Sequence, residues 1–147
     1  MPIALNGLGW CKLFAGSIDE VIPLMQQATC RSPRDPQIGV WHGVVGMVHL
    51  LQSRIDEAIV WLEKARSASP EKPYNHLHLA AAYALSGELD RAVMELTKAR
   101  RLDGGTLYSS IVHLKAFPGA WWGAPKTRDL YEATYFAGLR KAGVPEE

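Results

Sequence analysis

Histidine is the residue type in this sequence with the clearest chemical potential, either as a metal ligand or as a general base near neutral pH. The chain has five histidines, and two of them, His76 and His78, lie only two positions apart. On a helix their side chains diverge by about 200°, so the two cannot bind the same ion. His42 and His76 stand at equivalent positions of two related segments. This equivalence favours a structural role over metal binding.

No motif for catalysis or cofactor binding accompanies the histidines. The chain has no Gly-rich phosphate loop, no GxSxG nucleophile motif, no HExxH zinc motif and no aspartates at EF-hand spacing. The acidic pairs Asp19-Glu20 and Asp56-Glu57 fall in the predicted first turns of helices, where carboxylates favour the positive helix end. We therefore predict a protein without enzymatic activity, cofactor or bound metal.

Composition and charge restrict the kinds of partner. The chain has 147 residues, enough for one domain with a full core, and its 16 basic and 15 acidic residues show no run of like charge. This balance argues against binding to nucleic acid or to an anionic membrane. No segment approaches the ~20 apolar residues of a membrane span, and the first ten residues lack a basic leader. The predicted location is the cytoplasm.

The two cysteines, Cys11 and Cys30, fall in predicted helices without metal-ligand spacing. In a reducing compartment such residues behave as small buried apolar groups. We expect both side chains to be buried, with a disulfide between them as the alternative.

A pattern of small and apolar residues recurs along the chain and is clearest between Ser53 and Pro70. Within it, Ala58, Leu62 and Ala65 stand at helical spacing after a turn residue. They have counterparts 34 residues later and 37 residues earlier in the sequence, which are Ala92, Leu96, Ala99, Val21, Met25 and Ala28. This recurrence predicts repeated pairs of helices.

Local signals indicate where the helices begin and turn. Ser17 and Glu20 have the spacing of a capping box, which predicts the start of a second helix at Ser17. Asp35 followed by Pro36 resembles an N-cap acid with proline at the first helical position, and Gly87 marks a turn. The predicted units span about residues 2–35, 36–72 and 73–105.

These positions resemble the tetratricopeptide repeat, a helix-turn-helix unit of 34 residues with small residues where its helices cross. Two slots of that repeat are filled in all three units. The Leu-Gly pair is matched by Leu8-Gly9, Val45-Gly46 and Leu79-Ala80, and the turn glycine by Gly16, Ser53 and Gly87. The pattern departs at Lys12, where the family has tyrosine, and at Gly104, where it has proline. The resemblance implies an all-α solenoid of three hairpins over about residues 2–104.

Beyond Gly104 the register fades. The sequence predicts two further helices, at about residues 106–117 and 125–142, joined by the PGAWWGAP loop. We expect this divergent pair to cap the stack within a single domain spanning residues 1–147. The opening and closing segments are similar to the C-terminal tetratricopeptide region of α-proteobacterial class III adenylate or guanylate cyclase-like proteins. These residues contain no cyclase catalytic domain, so the resemblance implies no cyclase activity.

In the tetratricopeptide family the first helices line a concave groove that binds a segment of a partner protein. Here the resemblance places mostly apolar residues in that groove, which favours an apolar helix or extended segment. For Trp10 and Phe14 a place in the core is an equal alternative. Trp121 and Trp122 form a second candidate surface, unless they fold back onto the capping helices. The predicted partner-binding residues are Asn6, Trp10, Phe14, Val40, Gly43, Met47, Leu50, Tyr74, Leu77, Ala81, Trp121 and Trp122.

The sequence therefore predicts a non-catalytic protein-interaction scaffold that binds a peptide or helix of a partner, as the interaction module of a signalling protein. The alternative is a homodimerisation module for attached cyclase-type domains. Such a dimer would form through the uncovered outer side of the first helix, which is predicted to begin at Ile3, or through the tryptophan loop.

Overall fold

The computed structural model describes residues 2–104, 107–116 and 123–147, and all secondary structure within them is helical. This confirms the predicted all-α class. The first six helices are α1 (Pro2–Phe14), α2 (Val21–Arg31), α3 (Ile38–Leu51), α4 (Ile55–Ala68), α5 (Pro73–Ser86) and α6 (Leu89–Asp103). Single 3-10 turns, Ile18–Glu20 and Leu107–Ser109, precede α2 and α7 (Ile111–Ala116). The chain closes with α8 (Pro125–Tyr131), a π-helical turn (Glu132–Phe136) and α9 (Ala137–Ala142), which form one continuous C-terminal helix.

Successive helices pair as hairpins, α1 with α2, α3 with α4, and α5 with α6. Neighbouring hairpins pack through α2 on α3 and through α4 on α5. At each hairpin turn one residue has a left-handed backbone conformation, with φ of 86° at Gly16, 61° at Ser53 and 89° at Gly87. Glycine adopts this conformation without a steric penalty, whereas Ser53 carries a Cβ atom there. The three residues predicted as turn positions therefore reverse the chain in the same way.

Small residues let the two helices of a hairpin approach each other closely. A Cβ atom at Gly46 would lie 2.7 Å from Cγ of Leu62, and one at Gly9 would lie 2.5 Å from Cε of Met25. The recurring positions of the second helices have 0% exposure in all three hairpins: Val21, Ala58, Ala92, Ala28, Ala65 and Ala99. The spacing in the sequence thus marks the buried side of each second helix.

The starts of α2 and α3 differ in detail from the predicted ones. Helical structure begins directly after Ser17, since the Ile18–Glu20 turn runs into α2, but the capping box is wrong because the Ser17 side chain makes no capping hydrogen bond. Glu20 instead forms an ion pair with Lys12 of α1, with 2.7 Å between Oε2 and Nζ. α3 begins at Ile38, since the Gln37 N–H donates to Asp35 Oδ1 at 2.8 Å and holds these residues in a turn.

The expectation of buried cysteines is also wrong. Cys11 and Cys30 are free thiols with exposed side chains. Cys11 lies on the side of α1 that faces away from α2, whereas Gly9 and Leu13 are buried. The helical assignment of both cysteines was right, but their helical faces could not be read from residue type.

The C-terminal helix runs along the side of the molecule formed by α1, α3 and α5, here called the first-helix face. Its α9 part packs on α5, and its π-helical turn packs on both α3 and α5. The helix was expected to cover the end of the stack. It lies on the first-helix face, where its bulky side chains Tyr135, Phe136 and Leu139 are no more than 5% exposed.

Replacing Gly46 by alanine is expected to lower the free energy of unfolding by about 1–3 kcal/mol, because the added Cβ overpacks the core. That Cβ would lie 3.1 Å from the backbone nitrogen of Leu62, which cannot move independently of α4. Chemical denaturation measures the effect. Gly7→Ala is the matched control on α1, since no atom lies within 4 Å of its added Cβ. The control should be neutral or stabilising by up to about 1 kcal/mol, and equal losses in both variants would contradict this explanation.

Candidate functional site

The structure buries the centre of the predicted groove. Met47 is 4% exposed, Leu77 1%, and Leu50 and Ala81 0%, while Gly43 is also buried. These residues therefore do not line an open groove in this structure. The predicted residues toward its rim are half-buried: Trp10, Phe14, Val40 and Tyr74. Trp121, Trp122 and the side chain of Asn6 lie outside the described residues.

Gly43 faces Ala65 of α4 and Asn75 of α5. The C-terminal helix packs on α3 and α5 and covers Ala81. At its crossing with α5, a Cβ atom on Gly138 would lie 2.5 Å from the carbonyl oxygen of Ala81 and 3.0 Å from its carbonyl carbon. Only glycine permits two helix backbones to approach so closely without a shift. Ala81 is itself small, so both sides of the crossing contribute to the short distance. The contact at Gly138 and Ala81 fixes the position of the C-terminal helix on the face.

The beginning of the C-terminal helix is tied to the end of α1. The Ala124 N–H donates to the Phe14 carbonyl at 2.7 Å, and Thr127 Oγ1 donates to the Leu13 carbonyl at 2.9 Å. Thr127 is 1% exposed. These bonds satisfy carbonyl groups of the last turn of α1 that have no partner within that helix. These bonds link the first helix of the described chain to its C-terminal helix.

The outer side of the C-terminal helix is covered by α7 and by the residues after Gly143. The N–H groups of Ile111 and Val112 donate to the carbonyls of Pro145 and Glu146 at 2.9 and 3.1 Å. Phe136 is 0% exposed, with Lys115 Nζ of α7 5.1 Å from the centre of its ring. The helix is therefore enclosed between the first-helix face and α7.

Ion pairs reinforce this outer side. Glu132 accepts hydrogen bonds from Lys115 and from Arg140 Nη1, the latter at 3.1 Å, and these outweigh burial and lower the pKa of Glu132. Arg140 also binds the Glu146 carboxylate through two nitrogen atoms at 2.8 Å each. A bidentate contact of this kind orients both groups. The chain terminus is held against the helix by charge as well as by backbone bonds.

An aromatic cluster lies at the seam between α5 and the C-terminal helix. The His78 ring is 6.0 Å from that of Tyr74 and meets the ring of Tyr135 edge-on at 5.5 Å, and Tyr131 lies 5.9 Å from Tyr135. Nδ1 of His78 is buried and has no hydrogen-bond partner among the described residues. Burial lowers the pKa of His78 to about 4 and raises the pKa values of Tyr131 and Tyr135. The seam therefore remains uncharged near neutral pH.

His76, which is 0% exposed, connects the second and third hairpins. Its Nδ1 lies 2.6 Å from Glu95 Oε2 of α6, and its Nε2 lies 2.7 Å from the Pro70 carbonyl. Glu95 also pairs with Arg66 of α4. All three side chains are engaged in contacts between helices, which agrees with the structural role inferred from the sequence.

Clusters of metal-ligating side chains and the contact between Ser110 and His113 are the other arrangements with chemical potential. Within residues 2–104, 107–116 and 123–147, no group of three or more His, Cys, Asp or Glu side chains is placed to hold a metal ion. Ser110 Oγ lies 2.7 Å from His113 Nδ1, but the same oxygen accepts the His113 N–H at 3.2 Å. That contact is typical of a residue that caps the start of a helix, in this case α7.

A small apolar cleft lies between α2, α3 and α4, with a volume of about 120 Å³. Met25, Thr29, Cys30, Val45 and Trp61 line it, and the Trp61 ring also packs 5.4 Å from that of His42. Pockets for small-molecule ligands are usually about 300–1,000 Å³. The cleft is therefore too small for such a ligand, and Trp61 packs between hairpins.

The chain matches no protein-family model, and no curated protein matches it. None of the helices in the described part of the chain combines the length and the apolar character needed to cross a membrane.

Sequence reasoning missed that the chain supplies a helix for this face. The signal was present in Tyr131, Tyr135, Gly138 and Ala142, which recur at intervals of four, three and four residues. This spacing places a small residue in the middle of an apolar helical stripe. Such a stripe requires a partner surface, and an apolar first-helix face is the surface that the rest of the sequence provides.

We expect the free energy of unfolding to fall as the pH is lowered from 6.5 towards 4. Folded His78 stays neutral through this range while unfolded His78 takes up a proton, so the unfolded state is favoured as the pH falls. Burial lowers the pKa values of His42 and His49 as well, so they act in the same direction. His78→Phe should flatten the dependence by up to about 1.4 kcal/mol per pH unit. Urea denaturation at several pH values measures it.

Tyr74→Phe is the matched control for this prediction, because it alters a ring that contacts His78 but removes no group that titrates between pH 4 and 6.5. It should keep the dependence on pH of the unaltered chain. An equal pH dependence in His78→Phe and in the unaltered chain would contradict the role given to His78.

Proposed function

We propose that this chain is a non-catalytic interaction module of the tetratricopeptide type, whose first-helix face binds an amphipathic helix. The observation that carries the proposal is the burial of the C-terminal helix along α1, α3 and α5. Helix-in-groove recognition uses anchor side chains at helical spacing against an apolar surface. The first-helix face has these properties, and the chain's own helix is the occupant seen in the structure.

The C-terminal helix, which lies on the face in this structure, indicates which side chains a partner helix needs. The helix needs a small residue where Gly138 crosses Ala81, because a larger side chain meets the α5 backbone. It needs aromatic anchors at the positions of Tyr131 and Tyr135, since these rings pack on each other and, through Tyr135, on His78. Charged residues belong on its other sides. Burial of a charge beside Leu50, which is 0% exposed, would be strongly unfavourable.

The covalent link makes the C-terminal helix a strong competitor. A segment tethered to its site acts at an effective concentration in the millimolar range. A partner helix must therefore bind the face considerably more tightly than the C-terminal helix does in order to displace it. In this proposal the C-terminal helix occupies the first-helix face until such a partner displaces it.

The resemblance of the opening and closing segments to a cyclase-associated region motivates a signalling protein as the source of the partner helix. Homodimerisation, the second prediction from the sequence, would use a different surface, either the outer side of α1 or the tryptophan loop. Leu8 is 44% exposed on the outer side of α1, and Cys11 is exposed beside it.

The test uses the full chain with Gly138→Val and a fluorescently labelled peptide of residues 123–147. The substitution should release the C-terminal helix, because the added Cβ meets the Ala81 carbonyl. Hydrogen exchange of residues 125–142 checks that release. Fluorescence anisotropy should then show that the variant binds the peptide at least about tenfold more tightly than the unaltered chain, in which the tethered helix competes.

Ala133→Val is the matched control, since Ala133 lies on the same helix with an exposed side chain. It should bind the peptide as weakly as the unaltered chain. If Gly138→Val exposes residues 125–142 to exchange, keeps its other helices folded and still fails to bind the peptide, then the first-helix face is not a helix-binding site.

A further inference from the structure

Each residue of α1 has an equivalent 37 residues later in α3 and a further 34 residues later in α5. Three equivalent residues are here called a slot, and their exposure can therefore be compared between the three hairpins. Leu8 of α1 corresponds to Val45 of α3 and Leu79 of α5. Their exposures are 44%, 3% and 0%. The next such slot contains Cys11, Val48 and Ala82, of which Cys11 is exposed and the other two are 0% exposed. The same side of the first helix is therefore buried in the second and third hairpins and open in the first.

The second helices show the opposite trend. One slot contains Ile18, Ile55 and Leu89, and another contains Ile22, Ile59 and Val93. Ile18 is 6% exposed, and Ile22, Ile55 and Ile59 are half-buried against the core. The equivalent residues of α6 are open, with Leu89 at 50% and Val93 at 51%. This side of the second helix is covered in the first two hairpins and uncovered in the third.

Packing between consecutive hairpins, here called the junction, explains both differences in exposure. At the first junction Val45 of α3 lies beside Met25 and Thr29 of α2. At the second junction, between α4 and α5, the corresponding Leu79 and Leu62 are both 0% exposed. The described chain thus presents the two halves of this junction, one on α1 and one on α6, at opposite ends of the stack.

The next helix in the chain does not complete the junction at α6. α7 contacts the Glu146 carbonyl through the Val112 N–H and contacts Phe136 through Lys115. After Gly104 the Leu107–Ser109 turn packs on the last turns of α6, where Arg100 Nε donates to the Tyr108 carbonyl at 3.1 Å, so that part of α6 is covered by the chain itself. Leu89 and Val93, in the first half of α6, keep half of their surface exposed.

We propose that copies of this chain associate head to tail, with α1 of one copy covering the Leu89 and Val93 side of α6 in the next copy. The occupant is a second copy because the internal junctions already show a first helix of this chain seated on this side of a second helix. The contact joins two different surfaces, so it generates an open chain of copies or a closed ring and not a twofold dimer. It is independent of the first-helix face.

The experiment measures molar mass in solution by sedimentation equilibrium over a wide range of concentration. The unaltered chain should increase in mass beyond two chains as the concentration rises. Leu8→Glu and Val93→Glu should each remain at the mass of one chain, because each loses one half of the junction. Both residues are about half exposed, so the variants should fold, which circular dichroism checks. Cys11→Lys is a second variant at the α1 end.

Mixing the two variants gives the decisive result. Leu8→Glu retains the α6 surface and Val93→Glu retains the α1 surface, so an equal mixture should form a species with the mass of two chains and nothing larger. Val60→Glu is the matched control, since Val60 is 51% exposed on α4 but lies in neither slot. It should associate like the unaltered chain.

Three results would overturn the proposal. The unaltered chain could keep the mass of one chain at millimolar concentration, Val93→Glu could form dimers on its own, or the mixture could stay at the mass of one chain. None of these results bears on peptide binding at the first-helix face, so the failure of this proposal is distinguishable from failure of the proposed function.

Discussion

Close approach of helix backbones at small residues is the constraint on which the rest of this structure depends. Gly9 and Gly46 let α1 and α3 lie against their partner helices, and Gly138 lets the C-terminal helix lie against α5 at Ala81. Each contact brings neighbouring side chains within packing distance along the whole length of the helices. The rings of Tyr83 and Phe136, both 0% exposed, are buried in the interior that these helices enclose.

Polar contacts between hairpins complement this packing. Glu95 holds His76 and Arg66, and Glu63 accepts hydrogen bonds from the Tyr83 hydroxyl at 2.5 Å and from Arg91 at 3.0 Å. These contacts connect α4, α5 and α6. Buried polar atoms without a hydrogen-bond partner among the described residues occur at the seam, at Nδ1 of His78, and also in the hairpins, at Nε1 of Trp41 and Nδ1 of His42. An unpaired buried polar group costs about 1–3 kcal/mol, so apolar packing stabilises both regions against this cost.

The parts of the fold that sequence reasoning predicted are those set by short-range pattern. The helical class, the turns at Gly16, Ser53 and Gly87, and the buried alanines follow from periodicity and from the conformational freedom of small residues. The placement of the C-terminal helix depends on Gly138 meeting Ala81, a contact between residues far apart in sequence. A repeat pattern contains no information about such a contact. The capping box at Ser17 failed for a related reason, since Glu20 is engaged by Lys12 on another helix.

The π-helical turn at Glu132–Phe136 gives the C-terminal helix a register of its own. A turn of this kind accommodates one residue more than an α-helical turn, so everything after it is rotated by about 100° relative to an uninterrupted helix. Tyr131 before the turn and Leu139 after it are both buried in spite of that rotation. In a regular helix Tyr131, Tyr135, Gly138 and Ala142 would form one narrow stripe. The extra residue of the turn widens the buried surface beyond that stripe, since Thr134, Phe136 and Leu139 are buried as well.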